Sequence, residues 1–199
     1  MRYGLLAGCV SVMVLLVSGC GSSSAPPPPP KLDAAALATA AMKAFDANKD
    51  RSLSAAEVES SPSLKSVFSR WDADHNGKLT EAEIAAQIKS WTVAGAGLMR
   101  LNCVVRSGGK GVPGVHVTLK PESFLGNSAL ASSGVSNQFG EVDLSCGRQS
   151  GVMLGLYRIE ITSDSEKLPA KFNTATTLGQ EVAPTAPNLR DGLNLDISK

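Results

Sequence analysis

Two twelve-residue stretches of this chain carry so many oxygen-bearing side chains that they constrain how it can fold. The second loop, DADHNGKLTEAE at residues 72–83, places such side chains at its first, third, fifth, ninth and twelfth positions. The first loop, DANKDRSLSAAE at residues 46–57, has the same spacing and starts 26 residues earlier. Side chains in this pattern either cap helices or surround a cation, and the two roles predict different functions.

The spacing suits a hard divalent cation such as Ca²⁺, which takes about six to eight oxygen ligands. Such a loop offers side-chain oxygens at positions 1, 3 and 5, a backbone carbonyl at position 7 and a bidentate carboxylate at position 12. The second loop would supply Asp72, Asp74, Asn76, the carbonyl of Lys78, and Glu83. The first loop would supply Asp46, Asn48, Asp50, the carbonyl of Ser52, and Glu57.

The second loop resembles an EF-hand calcium loop and matches the pattern D-x-[DN]-x-[DN]-G-x₅-E in full. Gly77 stands at the sixth position, where the chain turns sharply and we expect a positive φ. The first loop departs from the pattern because Arg51 stands there, at a backbone cost on the order of 1 kcal/mol. Arg51 and Lys49 also bring positive charge to the first loop. We therefore expect it to bind more weakly, or to need the second loop as a partner.

Helix capping offers an interpretation without metal, because SAAE at 54–57 and TEAE at 80–83 are both capping boxes. Capping does not explain why Asp and Asn alternate in both loops. It also leaves unexplained why Leu53 and Leu79 share one offset, at which we expect each to point into the core. Metal binding accounts for all these features.

Helical periodicity surrounds the two loops and predicts a helical pair over residues 32–97. Ser61 and Pro62 predict the N-cap and first turn of the helix between the loops. The short separation of the loops resembles the compact EF-hand pairs of bacterial exported proteins, which implies a structural or constitutive site. The predicted apolar stripes are Leu37, Ala41, Met42 and Phe45; Leu64, Val67, Phe68 and Trp71; and Ile84, Ile88 and Trp91.

After Gly97 the periodicity becomes alternating, with Val115, Val117 and Leu119 on one strand face and His116 on the other. Short strands separated by Gly and Pro predict an antiparallel β-sandwich over residues 98–199. The predicted fold class is therefore α+β in separate domains, a helical EF-hand pair followed by an all-β antiparallel sandwich.

The motifs GKGVPGVHVTLKP, SGVSNQFGEVDLS, GLYRIEIT and LPAKFNT resemble the transthyretin-like, carboxypeptidase-regulatory-like domain of bacterial surface proteins. The resemblance covers residues 98–199 and implies a non-catalytic, prealbumin-like sandwich that acts as an accessory domain. One departure is the turn at residues 137–140, NQFG, where an Asp-rich turn is usual.

The N-terminus has the pattern of an export signal. An apolar run from Leu5 to Val17 ends in small residues before Cys20 and resembles a bacterial lipobox. Residues 1–19 would be the signal peptide, Cys20 the lipidated residue that anchors the chain to a membrane, and residues 20–31 a Ser- and Pro-rich tether. The alternatives are an ordinary signal peptide containing a Cys, and a retained membrane helix.

The remaining cysteines follow from that interpretation. With Cys9 removed and Cys20 lipidated, Cys103 and Cys146 are left, and an exported location permits a disulfide between them. The alternative is two buried free thiols.

The charge balance, 19 Lys and Arg against 18 Asp and Glu, gives no basic excess for a nucleic-acid partner. His75 and His116 are isolated, and no nucleophile elbow or phosphate loop occurs, so we expect no enzyme. The sequence predicts an exported, calcium-binding lipoprotein whose sandwich contacts a cell-envelope protein or glycan, facing the periplasm or cell surface. The alternatives are a structural or adhesive envelope module with vestigial loops, and an accessory to signalling or transport.

Overall fold

The computed structural model describes residues 32–92, 97–189 and 191–198. The predicted signal peptide, residues 1–19, and the lipidated Cys20 with its tether, residues 20–31, lie outside these ranges and remain predictions. Within the described ranges, a few helices accompany many mostly antiparallel strands. None of the described helices combines the length and the apolar character that crossing a membrane requires.

Each of the three α-helices in the described part of the chain begins at a capping side chain. Helix α1 (Ala34–Phe45) follows Asp33, which accepts a hydrogen bond from the Ala36 N–H at 3.0 Å. Helix α2 (Pro62–Trp71) follows Ser61 and has proline in its first turn, which confirms that prediction. Helix α3 (Glu81–Trp91) begins at a complete capping box.

The two loops are joined by a short antiparallel pair of strands. Strand β1 (Ser52–Ser54) pairs with β2 (Lys78–Thr80), with Leu53 opposite Leu79. Both leucines are fully buried, as the sequence predicts. A single 3₁₀ turn, Glu57–Ser60, follows the first loop, whereas a full α-helix follows the second. The loops therefore share a core but differ in the element that leaves them.

The C-terminal part consists of strands arranged in two larger sheets and one small pair. These strands are β3 (Leu98–Met99), β4 (Asn102–Ser107), β5 (Lys110–Gly111), β6 (Val115–Pro121), β7 (Ser132–Val135), β8 (Glu141–Asp143), β9 (Ser145–Cys146), β10 (Gln149–Ser150), β11 (Val152–Met153), β12 (Gly155–Ser163), β13 (Gly179–Val182) and β14 (Leu193–Asp196). One sheet has the order β10-β9-β7-β6-β12-β13. In the other sheet, β14 and β5 flank β4, which also pairs with β8, and β3 forms a separate pair with β11.

The predicted inward face of β6 is confirmed, because Val115, Val117 and Leu119 are at most 1% exposed. The prediction of a wholly antiparallel arrangement is wrong at one place, where β14 runs parallel to β4. Strand β14 follows β13 of the other sheet, so no hairpin connects it to β4 and nothing forces the antiparallel direction.

The helical part packs directly on the six-stranded sheet, so a helical domain separate from the strands is not shown. At Gly179 on β13, an added Cβ would lie 2.1 Å from the backbone carbon of Pro62 on α2. Glu181, 1% exposed, accepts a hydrogen bond from Trp91 Nε1 at 2.8 Å and pairs with Arg70. A unit of about 60 residues alone buries only about 60% of the surface that its unfolded chain exposes, and the sheet adds to that burial.

The possible disulfide between Cys103 and Cys146 is not formed, and both residues are free thiols. Cys103 is buried on β4, opposite Val142, whereas Cys146 lies on β9 of the other sheet. Burial raises the pKa of the Cys103 thiol to about 12, so this cysteine is a poor nucleophile near neutral pH.

Candidate metal centre

Three carboxylates of the second loop come together. One ligand oxygen from each of Asp72, Asp74 and Glu83 lies within 4.8 Å of the others. Asp72 is buried, Glu83 is half-buried and Asp74 is exposed. Negative charges this close repel one another unless a cation offsets them, and a set of oxygen donors suits hard cations better than soft ones. These residues could therefore hold a metal ion.

Asp72 reaches the cluster because it is the C-cap of helix α2 and directly follows the fully buried Trp71. Its Oδ1 accepts a hydrogen bond from the Asn76 N–H at 3.1 Å, and its Oδ2 accepts one from the Gly77 N–H at 2.8 Å. Burial raises the pKa of this carboxyl, but the backbone donors lower it by more than burial raises it. The pKa of Asp72 therefore lies below the ordinary value. The loop thus keeps Asp72 ionised.

Glu83 is held in place by the capping box of helix α3. Its Oε2 accepts hydrogen bonds from the N–H and the hydroxyl of Thr80, both at 2.8 Å, and its Oε1 accepts one from the Ala73 N–H at 2.9 Å. Burial opposes ionisation, but these donors outweigh it, so the pKa of Glu83 is lowered. Capping and metal binding are thus compatible roles for one side chain.

Asn76 connects the third and fifth positions of the second loop. Its Nδ2 donates to Asp74 Oδ2 at 2.8 Å, and its Oδ1 accepts from the Lys78 N–H at 2.8 Å. An amide oxygen has two lone pairs, so Asn76 Oδ1 can keep this bond and still face a cation.

The backbone of the two loops follows the same path. Gly77 at the sixth position has φ +80°, which confirms the predicted positive φ, and Arg51 at the same position of the first loop has φ +65°. The fourth positions, His75 and Lys49, are also left-handed, at +57° and +60°. A Cβ on Gly77 would meet nothing within 4 Å, so the cost of a side chain there is conformational.

The predicted ligands of the first loop accept hydrogen bonds similar to those of the second loop. Asp46 accepts from the Arg51 N–H at 3.0 Å, and Glu57 accepts from the Ala47 N–H at 3.0 Å and the Ser54 N–H at 2.8 Å. Within the described ranges, however, only the second loop brings three His, Cys, Asp or Glu ligand atoms within 4.8 Å of one another.

An ion pair between side chains also joins the two loops. Lys78 Nζ lies 2.8 Å from Oδ2 of Asp50, at the fifth position of the first loop. The Lys78 ammonium, followed by the Ser52 hydroxyl, holds the pKa of Asp50 well below its usual range, and Asp50 in turn raises the pKa of Lys78. The carbonyl of Lys78 belongs to the second loop and its side chain reaches the first.

Sequence reasoning missed two features of this region. The first is the contact of the Lys78 side chain with the first loop. The shared position of Leu53 and Leu79 in the two loops could have indicated it, because pairing these leucines puts Lys78 opposite Ser54. The support that Glu181 gives to the flanking helices had no signal in the sequence, since it depends on how the sheet packs on them.

Comparison of the chain with protein-family models, with curated proteins and with solved structures found no match.

Proposed function

We propose that this chain is a calcium-binding protein whose main metal site is the second loop. The observation that carries the proposal is the gathering of Asp72, Asp74 and Glu83 within 4.8 Å. Asn76 Oδ1 and the Lys78 carbonyl would complete the protein ligands, with water filling any open position. Ca²⁺ accepts this many oxygens in a flexible shell, whereas Mg²⁺ demands near-octahedral geometry and keeps several waters.

The first loop is proposed as a second, weaker site that uses Asp46, Asn48, Asp50, the carbonyl of Ser52, and Glu57. Its backbone path supports this role, and its position beside β1 joins it to the second loop. Calcium that binds only the folded chain stabilises it by mass action. Weak affinity is enough for this stabilisation if calcium is abundant in the compartment to which the protein is exported.

The proposal includes export and a lipid anchor on Cys20, facing the periplasm or cell surface. Its support is the sequence alone: an apolar run of signal-peptide length, small residues before Cys20, and a Ser- and Pro-rich tether. On this account the folded part stands a short distance from the membrane.

The strands are proposed to form a non-catalytic, prealbumin-like sandwich that binds a cell-envelope protein or glycan. A groove of about 480 Å³ beside β4, β8 and β14 offers polar groups to such a partner, among them Arg106, Glu141 and Asp143. The resemblance of residues 98–199 to accessory surface domains points the same way.

A second candidate function is a structural envelope module whose loops no longer bind metal. Two observations favour it for the first loop: Arg51 at a positive φ, and a lysine ammonium on Asp50. Neither feature occurs at the second loop, where glycine stands at the sixth position and the carboxylates accept hydrogen bonds from neutral donors.

The test is calorimetric titration of the full chain, in detergent micelles, with calcium chloride. The comparison is the double variant Asp72→Ala with Glu83→Ala, and the matched control is Asp46→Ala with Glu57→Ala. We expect the tighter binding event to vanish in the first variant and to persist in the control. No heat at millimolar calcium in the wild type, with thermal unfolding unchanged by chelator, would refute the proposal and favour the structural module.

A further inference from the structure

Lys78 takes part in both loops through different groups. Its backbone carbonyl stands at the seventh position of the second loop, where a metal ligand is expected. The β1–β2 register places its Cα opposite Ser54, and from there its Nζ reaches Oδ2 of Asp50 at 2.8 Å. One residue therefore offers an oxygen to one loop and a positive charge to the other.

The oxygens of Asp50 are both occupied in this arrangement. Oδ1 accepts from the Ser52 N–H at 3.0 Å and from the Ser52 hydroxyl at 2.6 Å. Oδ2 accepts from Asn48 Nδ2 at 3.2 Å and pairs with the Lys78 ammonium. A divalent cation that used Asp50 as its fifth-position ligand would have to approach the ammonium closely or displace it.

The second loop has no equivalent ion pair within the described part of the chain. Its carboxylates, on Asp72, Asp74 and Glu83, accept hydrogen bonds from backbone N–H groups, an amide and a hydroxyl. The side chain of Lys78 leaves that loop and lies against the first. The same residue thus reduces the negative charge of the first loop and preserves that of the second.

We propose that the Lys78 ammonium is an internal cation for the first loop, which competes with calcium there and makes the second loop the preferred site. The inference rests on the proposed calcium binding and adds to it a mechanism that ranks the two sites. In this mechanism, calcium binds the first loop only in molecules in which the ion pair between Lys78 and Asp50 is broken. The apparent calcium affinity of the first loop is therefore its intrinsic affinity multiplied by the fraction of such molecules.

The expected effect is modest because the pair is partly exposed, with 48% of the Lys78 side chain and 34% of the Asp50 side chain accessible. Exposed ion pairs contribute little, so removing this one should tighten the first loop by about fivefold. The change Lys78→Met removes the ammonium and leaves the backbone carbonyl that serves the second loop.

The test is an NMR titration of the full chain in detergent micelles with calcium chloride, because two backbone amides report the loops separately. The Arg51 N–H donates to Asp46 in the first loop, and the Gly77 N–H donates to Asp72 in the second. The matched control is Lys49→Met, which removes an exposed positive charge from the first loop and leaves the ion pair intact.

In Lys78→Met we expect the Arg51 midpoint to fall about fivefold in calcium concentration, with the Gly77 midpoint changed less than about twofold. In Lys49→Met we expect less than about a twofold change at either amide. An unchanged Arg51 midpoint in Lys78→Met, or an equal shift in the control, would overturn the inference while leaving calcium binding at Gly77 intact. If Gly77 does not respond to calcium in any variant, the proposed function itself fails.

Discussion

The two loops of this protein have nearly the same sequence pattern and the same backbone path, yet they are built differently around that path. The second loop has Gly77 at the sixth position, a full α-helix that includes Glu83, and three gathered carboxylates. The first loop has Arg51 at a positive φ, a single 3₁₀ turn after Glu57 and a lysine ammonium on Asp50. The ligand pattern therefore identifies two candidate sites, and their surroundings rank them.

The difference indicates that residues outside the ligand set would help to set the affinity of each proposed site. Glu83 is the third residue of helix α3, and the capping box fixes its carboxylate before a metal arrives. Helices α2 and α3, which flank the second loop, are both tied to Glu181 of the sheet through Arg70 and Trp91. Preorganisation of this kind would lower the cost of binding a cation at the second loop.

The largest expected effect comes from removing the charge at the twelfth position of the second loop. Glu83→Gln should weaken the tighter calcium event by at least about 1,000-fold, because calcium affinity follows the ligand charge. Glu57→Gln, the matched change in the first loop, should leave that event within about threefold. Calorimetry on both variants measures the difference, and equal losses would contradict the ranking of the loops.

Removing the Glu181 carboxylate, which contacts both helices that flank the second loop, should have the next largest effect. Glu181→Ala leaves Arg70 and the Trp91 Nε1–H without their buried partner and should cost about 3 kcal/mol in the free energy of unfolding. Glu59→Ala, which removes an exposed ion pair with Lys65, should cost less than about 0.5 kcal/mol. Chemical denaturation of the calcium-free proteins provides the test. A stable Glu181→Ala variant would show that the sheet does not support this loop.

Exchanging the residues at the sixth positions of the two loops should change the stability of the calcium-free chain by a smaller amount. Arg51→Gly relieves a left-handed conformation at a non-glycine residue and should stabilise the calcium-free chain by about 1 kcal/mol, or about 2–4 °C in the unfolding temperature. Gly77→Arg should destabilise it by a similar amount. The idea of backbone strain in the first loop fails if Arg51→Gly lowers the unfolding temperature.

The smallest expected effect is a difference in acid sensitivity. The Lys78 ammonium lowers the pKa of Asp50 in the folded state, so the stability from this group is complete above about pH 5 and is lost as the pH falls. Without calcium, Lys78→Met should therefore lose less stability than the wild type between about pH 6 and pH 3. Lys49→Met should follow the wild type. Thermal melts across that range would refute the expectation if all three curves run parallel.

Much of the helical part could be predicted from its sequence, because local signals specify it. Ser61 and Pro62 begin a helix as expected, Leu53 and Leu79 are each buried, and Gly77 has a positive φ. These outcomes depend on residues close in the sequence, for which periodicity and capping rules apply.

The features that could not be predicted depend on contacts between distant residues. The parallel pairing of β14 with β4, the burial of Glu181 against Trp91, and the packing of Gly179 on Pro62 each join segments far apart in the chain. The sequence shows which side chains prefer to be buried, but it does not show which surface covers them. For this reason the sequence did not show whether the helices pack on the sheet.

The most direct test of the central claim is a crystal structure of the full chain grown with low-millimolar calcium. The account predicts an ion in the second loop at about 2.3–2.6 Å from oxygens of Asp72, Asp74, Asn76, Lys78 and Glu83. It also predicts that Lys78 Nζ stays on Asp50 whenever the first loop holds no ion. An ion in the first loop alone, or no ion in either loop, would contradict the account.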